Sequence, residues 1–233
     1  MATSRIVLVT CEHAGNAIPA EHTDAFAGRD AQAWLRSHRG YDPGAHAAAL
    51  QIATALSAQC IACSTTRLLA DLNRSLGRPS LFSKFTRSLP ARQQRELLDR
   101  HYRPYRVHVE STLKKLLARH RRVLHLSVHT FTPRIGGLWR PLDVGLLYDP
   151  ARHREQAVCG RWRRRLKKLH PRLRVALNQP YAGIDDGFTT ALRKLHAEDR
   201  YAGIEIEINN RFAKRSAEHR SGRPAIAGNP TAR

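Results

Sequence analysis

Short apolar runs alternate along the chain with longer segments of helical periodicity. The runs are rich in β-branched residues and are bounded by polar, Gly- or Pro-containing sequence, which is typical of buried strands. We predict six strands, at residues 5–10, 61–68, 123–128, 144–148, 173–177 and 201–208.

The intervening segments have the spacing of amphipathic helices. We predict helices at residues 45–57, 90–119, 155–169 and 188–196. Pro104 lies inside the longest segment. Proline lacks the backbone N–H and clashes with the preceding turn, so we expect this helix to be kinked or split in two.

Strands that alternate with helices predict an α/β fold with a mostly parallel sheet and helices on both faces. In such sheets, ligands bind outside the carboxyl ends of the strands. Polar clusters follow the first three predicted strands, at residues 12–13, at residues 71–74 and at His129. Glu207 lies near the end of the last strand. We therefore expect a functional site at this edge.

The length of 233 residues and the hydrophobic content of 42% fit one large globular domain, which we assign to residues 1–212. Residues 213–233 are basic and lose the apolar pattern. We predict for them a flexible tail or an arm that lies on the surface.

Lys and Arg outnumber Asp and Glu by 40 to 19, a formal net charge of +21. Such a charge attracts anions, and nucleic acid, a membrane surface or an acidic small substrate would all qualify. The basic segment 161–168 could contact phosphates, but no helix-turn-helix, zinc-finger or RNA-recognition signature accompanies it. Nucleic acid is therefore an alternative partner that we do not favour.

Cys60 and Cys63 form a C-x-x-C pair without the second pair of a zinc ribbon, so we interpret the cysteines as core residues in a reducing compartment. The apolar run at residues 6–9 is too short for a signal sequence, and no run is long enough to span a bilayer. These features predict a cytoplasmic protein without a membrane partner.

His13 and His129 each follow a predicted strand, and neutral imidazole is a common zinc ligand. A catalytic zinc usually has three protein ligands and one open position for water. Asp42 could supply the third ligand, although an Asp before a helix is equally typical of an N-cap or a turn. Asn16 and Glu12 are the alternatives.

Glu207 is the candidate general base, because a carboxylate near the metal can take a proton from bound water. Alternation places Glu205 on the same strand face as Glu207, which makes Glu205 the next candidate. The alternative interpretation is an exposed edge strand with solvated acids.

Arg67, Asn73 and Arg74 are candidate anion binders, since Arg can grip a carboxylate with two parallel hydrogen bonds. A turn-rich loop before the last helix could bind an anion at the helix N-terminus, although its glycines also fit plain turn chemistry. The candidates in this loop are Asn178, Tyr181, Asp186 and Gly187.

Several motifs follow one another in order between residues 11 and 210, and they read CEHAGNAIP, YDPGAH, TTRLLADLNRS, SVHTFTP, RPLDVGLLYDP, NQPYAGIDDG and GIEIEINN. Together they resemble the N-formylglutamate amidohydrolase family. The resemblance implies a zinc-exopeptidase-like three-layer α/β/α sandwich that holds one Zn²⁺ per chain. It also implies cleavage of the amide bond in a small N-acylated acidic amino acid such as N-formyl-L-glutamate.

A wider likeness to zinc carboxypeptidases and aspartoacylase implies individual roles. By this likeness Arg67 polarises the scissile carbonyl, while Asn73 and Arg74 bind the substrate carboxylate. One position departs from the pattern, because Asn16 stands where those enzymes have a metal-binding Glu. Either Asp42 supplies the missing carboxylate, or the site binds metal weakly. The same departure supports an alternative function, that of an inactive family member that binds an anionic ligand or partner.

Overall fold

The computed structural model describes residues 5–213, and the predicted tail beyond them lies outside the described residues. The strands are β1 Arg5–Cys11, β2 Gln59–Ala62, β3 Arg122–Phe131, β4 Arg134–Ile135, β5 Leu138–Trp139, β6 Val144–Leu147, β7 Val175–Leu177 and β8 Tyr201–Asn209. The helices are α1 Arg29–Leu35, α2 Ala45–Ala55, α3 Ala91–Leu97, α4 Arg103–Arg119, α5 His153–Leu169 and α6 Phe188–Leu195. A 3₁₀ helix spans Ala20–Phe26, and a π-helical turn spans Leu98–Tyr102.

Six strands form one sheet in the order β2-β1-β3-β8-β6-β7. Every neighbouring pair is parallel except β6 and β8, which run antiparallel. The strands β4 and β5 form a separate two-stranded hairpin. The predicted mostly parallel mixed sheet is confirmed.

Helices cover both faces of this sheet, because successive side chains of a strand point to opposite faces. Val9 of β1 packs in a core that contains Ala49 of α2 and Cys159 of α5. Leu8, one residue earlier, packs in a second core with Val109 of α4 and Leu192 of α6. The protein is therefore the expected three-layer α/β/α sandwich.

Two strand boundaries differ from the prediction and bear on the site. The second strand ends at Ala62 rather than at residue 68, because the chain then turns to bond the loop after β1. Cys63 accepts a hydrogen bond from the Ala14 backbone N–H, and Thr65 forms a β-bridge with Ala17. The third strand runs on to Phe131, so His129 lies within β3 and does not follow it.

Pro104 divides the long helical region as expected. The helix α3 ends at Leu97, the π-helical turn follows, and α4 begins with Pro104 in its first turn. Proline is tolerated there because the N–H groups of a first turn have no helical partner.

The four cysteines are all free. Within residues 5–213, none of the helices combines the length and the apolar character that crossing a bilayer requires.

The 3₁₀ helix, α1 and the β4–β5 hairpin are elements that the sequence pattern did not predict.

Candidate active site

A row of polar side chains occupies the carboxyl end of the sheet on the face covered by α4 and α6. Ser127 pairs in register with Glu205, and His129 pairs with Glu207. Register partners on parallel strands point to the same face, so these four side chains form one polar surface. All four are buried.

Asp42 joins the two histidines. Its Oδ2 lies 3.3 Å from Nδ1 of His13 and 3.0 Å from Nδ1 of His129. One ligand atom from each of the three residues lies within 4.8 Å of the others. The residue before α2 is Gly44, and Asp42 makes no side-chain N-cap, so the N-cap interpretation of Asp42 is wrong. The three predicted metal ligands are therefore side by side.

The Nε2 atom of each imidazole ring contacts a further carboxylate, a different one for each ring. Asp71 Oδ1 lies 2.7 Å from His13 Nε2, and Glu12 Oε2 lies 3.3 Å from His129 Nε2. Ser127 Oγ donates to Glu12 and lies 2.9 Å from the same nitrogen of His129. Carboxylates behind metal-binding imidazoles fix the tautomer and the ring orientation. Both Nδ1 atoms are thereby directed towards Asp42.

The pKa values in this cluster reflect its charge pairs. Burial alone would raise the pKa of Asp42, but the charge of His13 and hydrogen bonding with His129 hold it well below its usual value. Burial would likewise lower the pKa of His129, yet Asp42 and Glu12 raise it well above the usual range. The carboxylates are therefore ionised, as metal ligands must be, and a metal ion that binds His129 has to displace the proton of its ring.

Asn16 and Glu12, the alternatives to Asp42, occupy other positions. The Asn16 amide donates to the backbone carbonyl of Leu35 and is turned away from the histidines. Glu12 lies behind His129, where Tyr105 of α4 donates to its Oε1. Asp42 is the carboxylate that lies between the two rings.

Glu207 is buried in the same surface, and its Oε2 has no hydrogen-bond partner among the described residues. Burial raises its pKa to about 7, with the nearby carboxylates of Asp42 and Glu205 acting in the same direction. Glu205 instead accepts a 2.6 Å hydrogen bond from Thr189 of α6. The strand β8 lies between β3 and β6, so the interpretation as an exposed edge strand is wrong.

Arg67 connects two carboxylates of the cluster. Its Nε and Nη2 donate to Asp71 Oδ2, and its Nη1 donates to Asp42 Oδ1 at 3.3 Å. These pairs raise the pKa of Arg67 despite the opposing effect of burial. The side chain is still 24% exposed, so its remaining N–H groups can reach a ligand.

Asn73 and Arg74 continue the site along the loop after β2. Asn73 Oδ1 accepts the backbone N–H of Phe188 at the start of α6, and its Nδ2 lies 3.4 Å from His129 Nε2. Arg74 donates from Nη1 to the carbonyls of Asn73 and Asp186. Both predicted anion binders are thus held in fixed positions.

These side chains surround a cavity of about 160 Å³. It is smaller than the roughly 300–1,000 Å³ of pockets for drug-sized ligands, so it suits a ligand of amino-acid size. Its lining comprises His13, Arg67, Asn73, Arg74, His129, Leu147, Tyr181, Ala182, Asp185, Asp186, Glu205 and Glu207.

The predicted loop residues divide into two groups. Tyr181 and Asp186 line the cavity, whereas Asn178 is not among the described lining residues. Asn178 Oδ1 instead accepts the backbone N–H groups of Tyr148 and Gly183, which supports the loop from behind.

Gly187 packs closely against two polar side chains of the site. A Cβ atom on this residue would lie 2.8 Å from Glu205 Oε1 and 3.3 Å from Asn73 Oδ1. A side chain there would displace both groups. The plain turn interpretation of Gly187 is therefore insufficient.

Sequence reasoning assigned no role to Asp71 or Ser127. Asp71 lies four residues after Arg67, in the polar cluster that was expected at the end of the second strand. Ser127 precedes His129 by two residues, the spacing that places both on one face of a strand. The spacing of both residues from Arg67 and His129 was visible in the sequence. Which histidine each of them contacts, however, depends on tertiary packing and could not be predicted.

The model of the N-formylglutamate amidohydrolase family matches residues 5–213. The chain belongs to this family. A search among curated proteins gave no match. Family membership indicates that the chain is an enzyme that hydrolyses amides.

Two solved structures resemble this family member. A gene product of Agrobacterium tumefaciens is 27% identical, with a TM-score of 0.75, covering 92% of this chain and 84% of that chain. The N-formylglutamate amidohydrolase of Ralstonia eutropha is 19% identical, with a TM-score of 0.61, over 91% and 84% of the respective chains. The second likeness supports the fold alone.

Proposed function

We propose that the protein is a zinc-dependent hydrolase that cleaves the amide bond of a small N-acylated acidic amino acid such as N-formyl-L-glutamate. The observation that carries this proposal is the juxtaposition of the His13–Asp42–His129 cluster with the unpartnered oxygen of Glu207. A buried, unpartnered carboxylate oxygen is costly, so it suggests a ligand that is bound in the working enzyme.

The donor set fits zinc. Two imidazole nitrogens and one carboxylate oxygen are a common ligand set of catalytic zinc, and His13, His129 and Asp42 would supply it. When bound there, zinc lowers the pKa of a coordinated water towards about 7 and polarises a carbonyl oxygen.

Glu207 is positioned to move the proton in this reaction. With a pKa of about 7, it can accept a proton at its free Oε2 near neutral pH and then release it to the departing amide nitrogen. Its register partner His129 keeps this oxygen beside the proposed metal ligands.

Arg67 can stabilise the negative charge that develops on the carbonyl oxygen. A guanidinium has about five N–H donors, of which three are engaged by Asp71 and Asp42. The remaining donors are held in place by these carboxylates. A donor that is already oriented needs no rearrangement when the charge appears.

Arg74 can bind the substrate carboxylate and thereby select acidic amino acids. Within the described part of the chain only its Nη1 is engaged, so Nε and Nη2 are available for a bidentate contact with a carboxylate. Tyr181 lies across the same cavity and closes it on the side of the loop before α6.

The test is release of formate and glutamate from N-formyl-L-glutamate by the zinc-loaded protein, with the chelated protein as control. N-formyl-L-aspartate, N-acetyl-L-glutamate and N-formyl-L-leucine would define the acyl and side-chain preferences. Absence of hydrolysis with every N-acyl acidic amino acid would refute the proposal. Binding of these compounds without turnover would instead indicate the inactive, ligand-binding member.

A second candidate function is binding of an anionic partner at the opposite edge of the sheet. The lining of a cavity of about 180 Å³ there includes Arg5, Arg122, Arg154, Arg161 and Arg200, together with Glu198 and several apolar residues. Within residues 5–213, none of these arginines forms a salt bridge. Arg122 and Arg200 donate to the backbone carbonyls of Asp199 and Leu117. Arginines without a carboxylate partner around one cavity favour a phosphate-bearing ligand.

Salt-dependent retention of single-stranded nucleic acid tests this candidate. Replacing Arg122 and Arg161 with Gln should weaken binding and reduce its salt dependence, because fewer counterions are released. The matched control replaces Arg92 and Arg103, two exposed arginines paired with Glu96 and Asp99. Equal loss in both variants would contradict a localised site.

A further inference from the structure

A second group of metal-ligating side chains lies outside the proposed active site. Glu21 and His22 belong to the 3₁₀ helix, and His101 belongs to the π-helical turn. One potential ligand atom from each residue lies within 4.8 Å of the others. None of these three residues lines the proposed active-site cavity.

The two imidazoles have unmet bonding capacity. The Nε2 atoms of His22 and His101 are inaccessible to solvent, and neither has a hydrogen-bond partner within residues 5–213. His101 Nε2 lies 3.3 Å from Glu21 Oε1, but not in a hydrogen-bonding orientation, and the two rings are 5.3 Å apart at their centroids. A buried ring nitrogen without a hydrogen bond is costly, and His101 Nε2 has only its ion pair with Glu21, so a cation bound by both rings and the carboxylate would satisfy all three groups.

The donor types also suit a cation. A neutral imidazole has the lone pair that a metal requires. Glu21 supplies the negative charge, and its side chain is 41% exposed and therefore free to adjust.

We propose that His22, His101 and Glu21 bind a second Zn²⁺, with water in the fourth position. Two imidazoles and one carboxylate form an established zinc ligand set, and small rotations would bring the three atoms to bonding distance. A cavity of about 340 Å³ beside Glu21 and His22 gives the ion and its water access. The proposal does not depend on zinc at His13 and His129.

One nearby cation competes for the carboxylate. Arg100 Nη1 lies 4.0 Å from Glu21 Oε1. The Arg100 side chain is 66% exposed, so it can move away at little cost when a doubly charged ion arrives.

The ion would brace the active site through the π-helical turn. Turns of this type are often found at functional sites. Tyr102, next to His101, donates a 2.6 Å hydrogen bond to the backbone carbonyl of Arg74. Zinc would therefore fasten the 3₁₀ helix to the turn that supports the proposed carboxylate-binding arginine.

The experiment measures bound zinc by elemental analysis after zinc loading and desalting of the tag-free full-length protein. The variant H22Q/H101Q should contain one equivalent less than the unmodified protein. The control H108Q/H153Q removes two exposed histidines outside both clusters and should lose none. The result is the difference in zinc content between the variant and the unmodified protein. If the active site bound no metal, both proteins would contain less zinc, but the difference between them would still be one equivalent.

Equal zinc content in H22Q/H101Q and the unmodified protein would overturn the proposal. Circular dichroism checks that the variant is folded. If it is not, E21Q provides the second measurement, since removal of the exposed carboxylate should weaken zinc binding at this site without disturbing the core. Unchanged zinc binding in E21Q, with the first site blocked by H129Q, would also overturn it.

Discussion

His129 and Glu207 are register partners on neighbouring parallel strands, so a proposed metal ligand and the candidate proton carrier are held side by side by backbone pairing. Substitution E207Q keeps the shape of the side chain but removes its ability to carry a proton. We expect turnover to fall by about 10²–10⁴-fold, the usual contribution of a general base, while zinc content is unchanged.

Steady-state kinetics and elemental analysis of E207Q check this prediction together. The comparison variant is E205Q. The Glu205 carboxylate already accepts a hydrogen bond from Thr189, so we do not expect it to be the proton acceptor. A larger loss in E205Q than in E207Q would assign the base to Glu205.

The raised pKa of Glu207 predicts an effect on stability in the metal-free protein. Its folded-state pKa of about 7 exceeds the ordinary value of 4.5, so the folded state binds the extra proton. The associated stability is present below pH 4.5 and is lost as the pH rises through about 7. E207Q cannot ionise and should be the more stable protein at pH 8, by up to ~3 kcal/mol.

Urea unfolding of both chelated proteins at pH 5 and pH 8 measures this difference. The advantage of E207Q should be larger at pH 8 than at pH 5. An advantage that does not change with pH would show that Glu207 has an ordinary pKa.

Asp71 should tune the metal affinity although it is not a proposed ligand. Its carboxylate lies 2.7 Å from His13 Nε2 and orients the ring. We expect D71N to weaken zinc binding by about 10–100-fold, as is usual for carboxylates behind metal-binding histidines. Competition with a chromophoric chelator measures the affinity.

Asp185 offers the matched control for D71N. It also lines the cavity, but its carboxylate accepts a hydrogen bond from the backbone of Ala182 and contacts neither histidine. D185N should bind zinc normally. Equal affinities in D71N and the unmodified protein would remove Asp71 from the metal site.

Arg74 should govern substrate binding more than turnover. Loss of a bidentate contact with a carboxylate in R74A removes charged hydrogen bonds, so KM for an acidic substrate should rise by about 10–100-fold. The control is R78A, because Arg78 is 60% exposed and pairs only weakly with Asp186 at 3.7 Å. A fall in kcat at constant KM would instead place Arg74 at the reacting group.

A buried ion pair beneath the loop before α6 should be important for stability. Arg193 donates to Glu155, and its Nη1 and Nη2 also bond the carbonyls of Gly183 and Gly203. The side chains are only 4% and 0% exposed. Removing one partner leaves an unpaired buried charge, so E155A should cost about 3–5 kcal/mol.

Chemical denaturation of E155A and of D99A measures this cost against an exposed pair. Asp99 pairs with Arg103 on the surface, where an ion pair contributes about 0–1 kcal/mol. If both variants lost similar stability, the buried pair would have no special role.

The fold was largely predictable because the strands are short β-branched runs between recognisable helices. The three-layer arrangement and the mostly parallel sheet follow from that alternation. The end of β2 was not predictable from pattern, since Cys63 and Thr65 are compatible with a strand but bond to the loop after β1. The end of β3 was missed because polar His129 and Thr130 continue the strand.

The proposed ligands were predictable in part because strand ends converge at one edge of a parallel sheet. His13 and Asp42 are adjacent through the backbone, where the Asp42 N–H donates to the His13 carbonyl. The carboxylates that contact the Nε2 atoms of His13 and His129 could not be predicted, because Asp71 and Glu12 reach these atoms only through tertiary packing. The His22–His101 pair depends likewise on where the π-helical turn lies.

The Asp42 oxygen that contacts both imidazole rings links metal binding to the stability of the folded protein. His13 and Asp42 are 29 residues apart, and Asp42 and His129 are 87 apart. A bound ion would therefore act as a cross-link between three distant points of the chain. Global unfolding and metal loss would become one event, so the survival of the protein in the cell would follow the supply of free zinc.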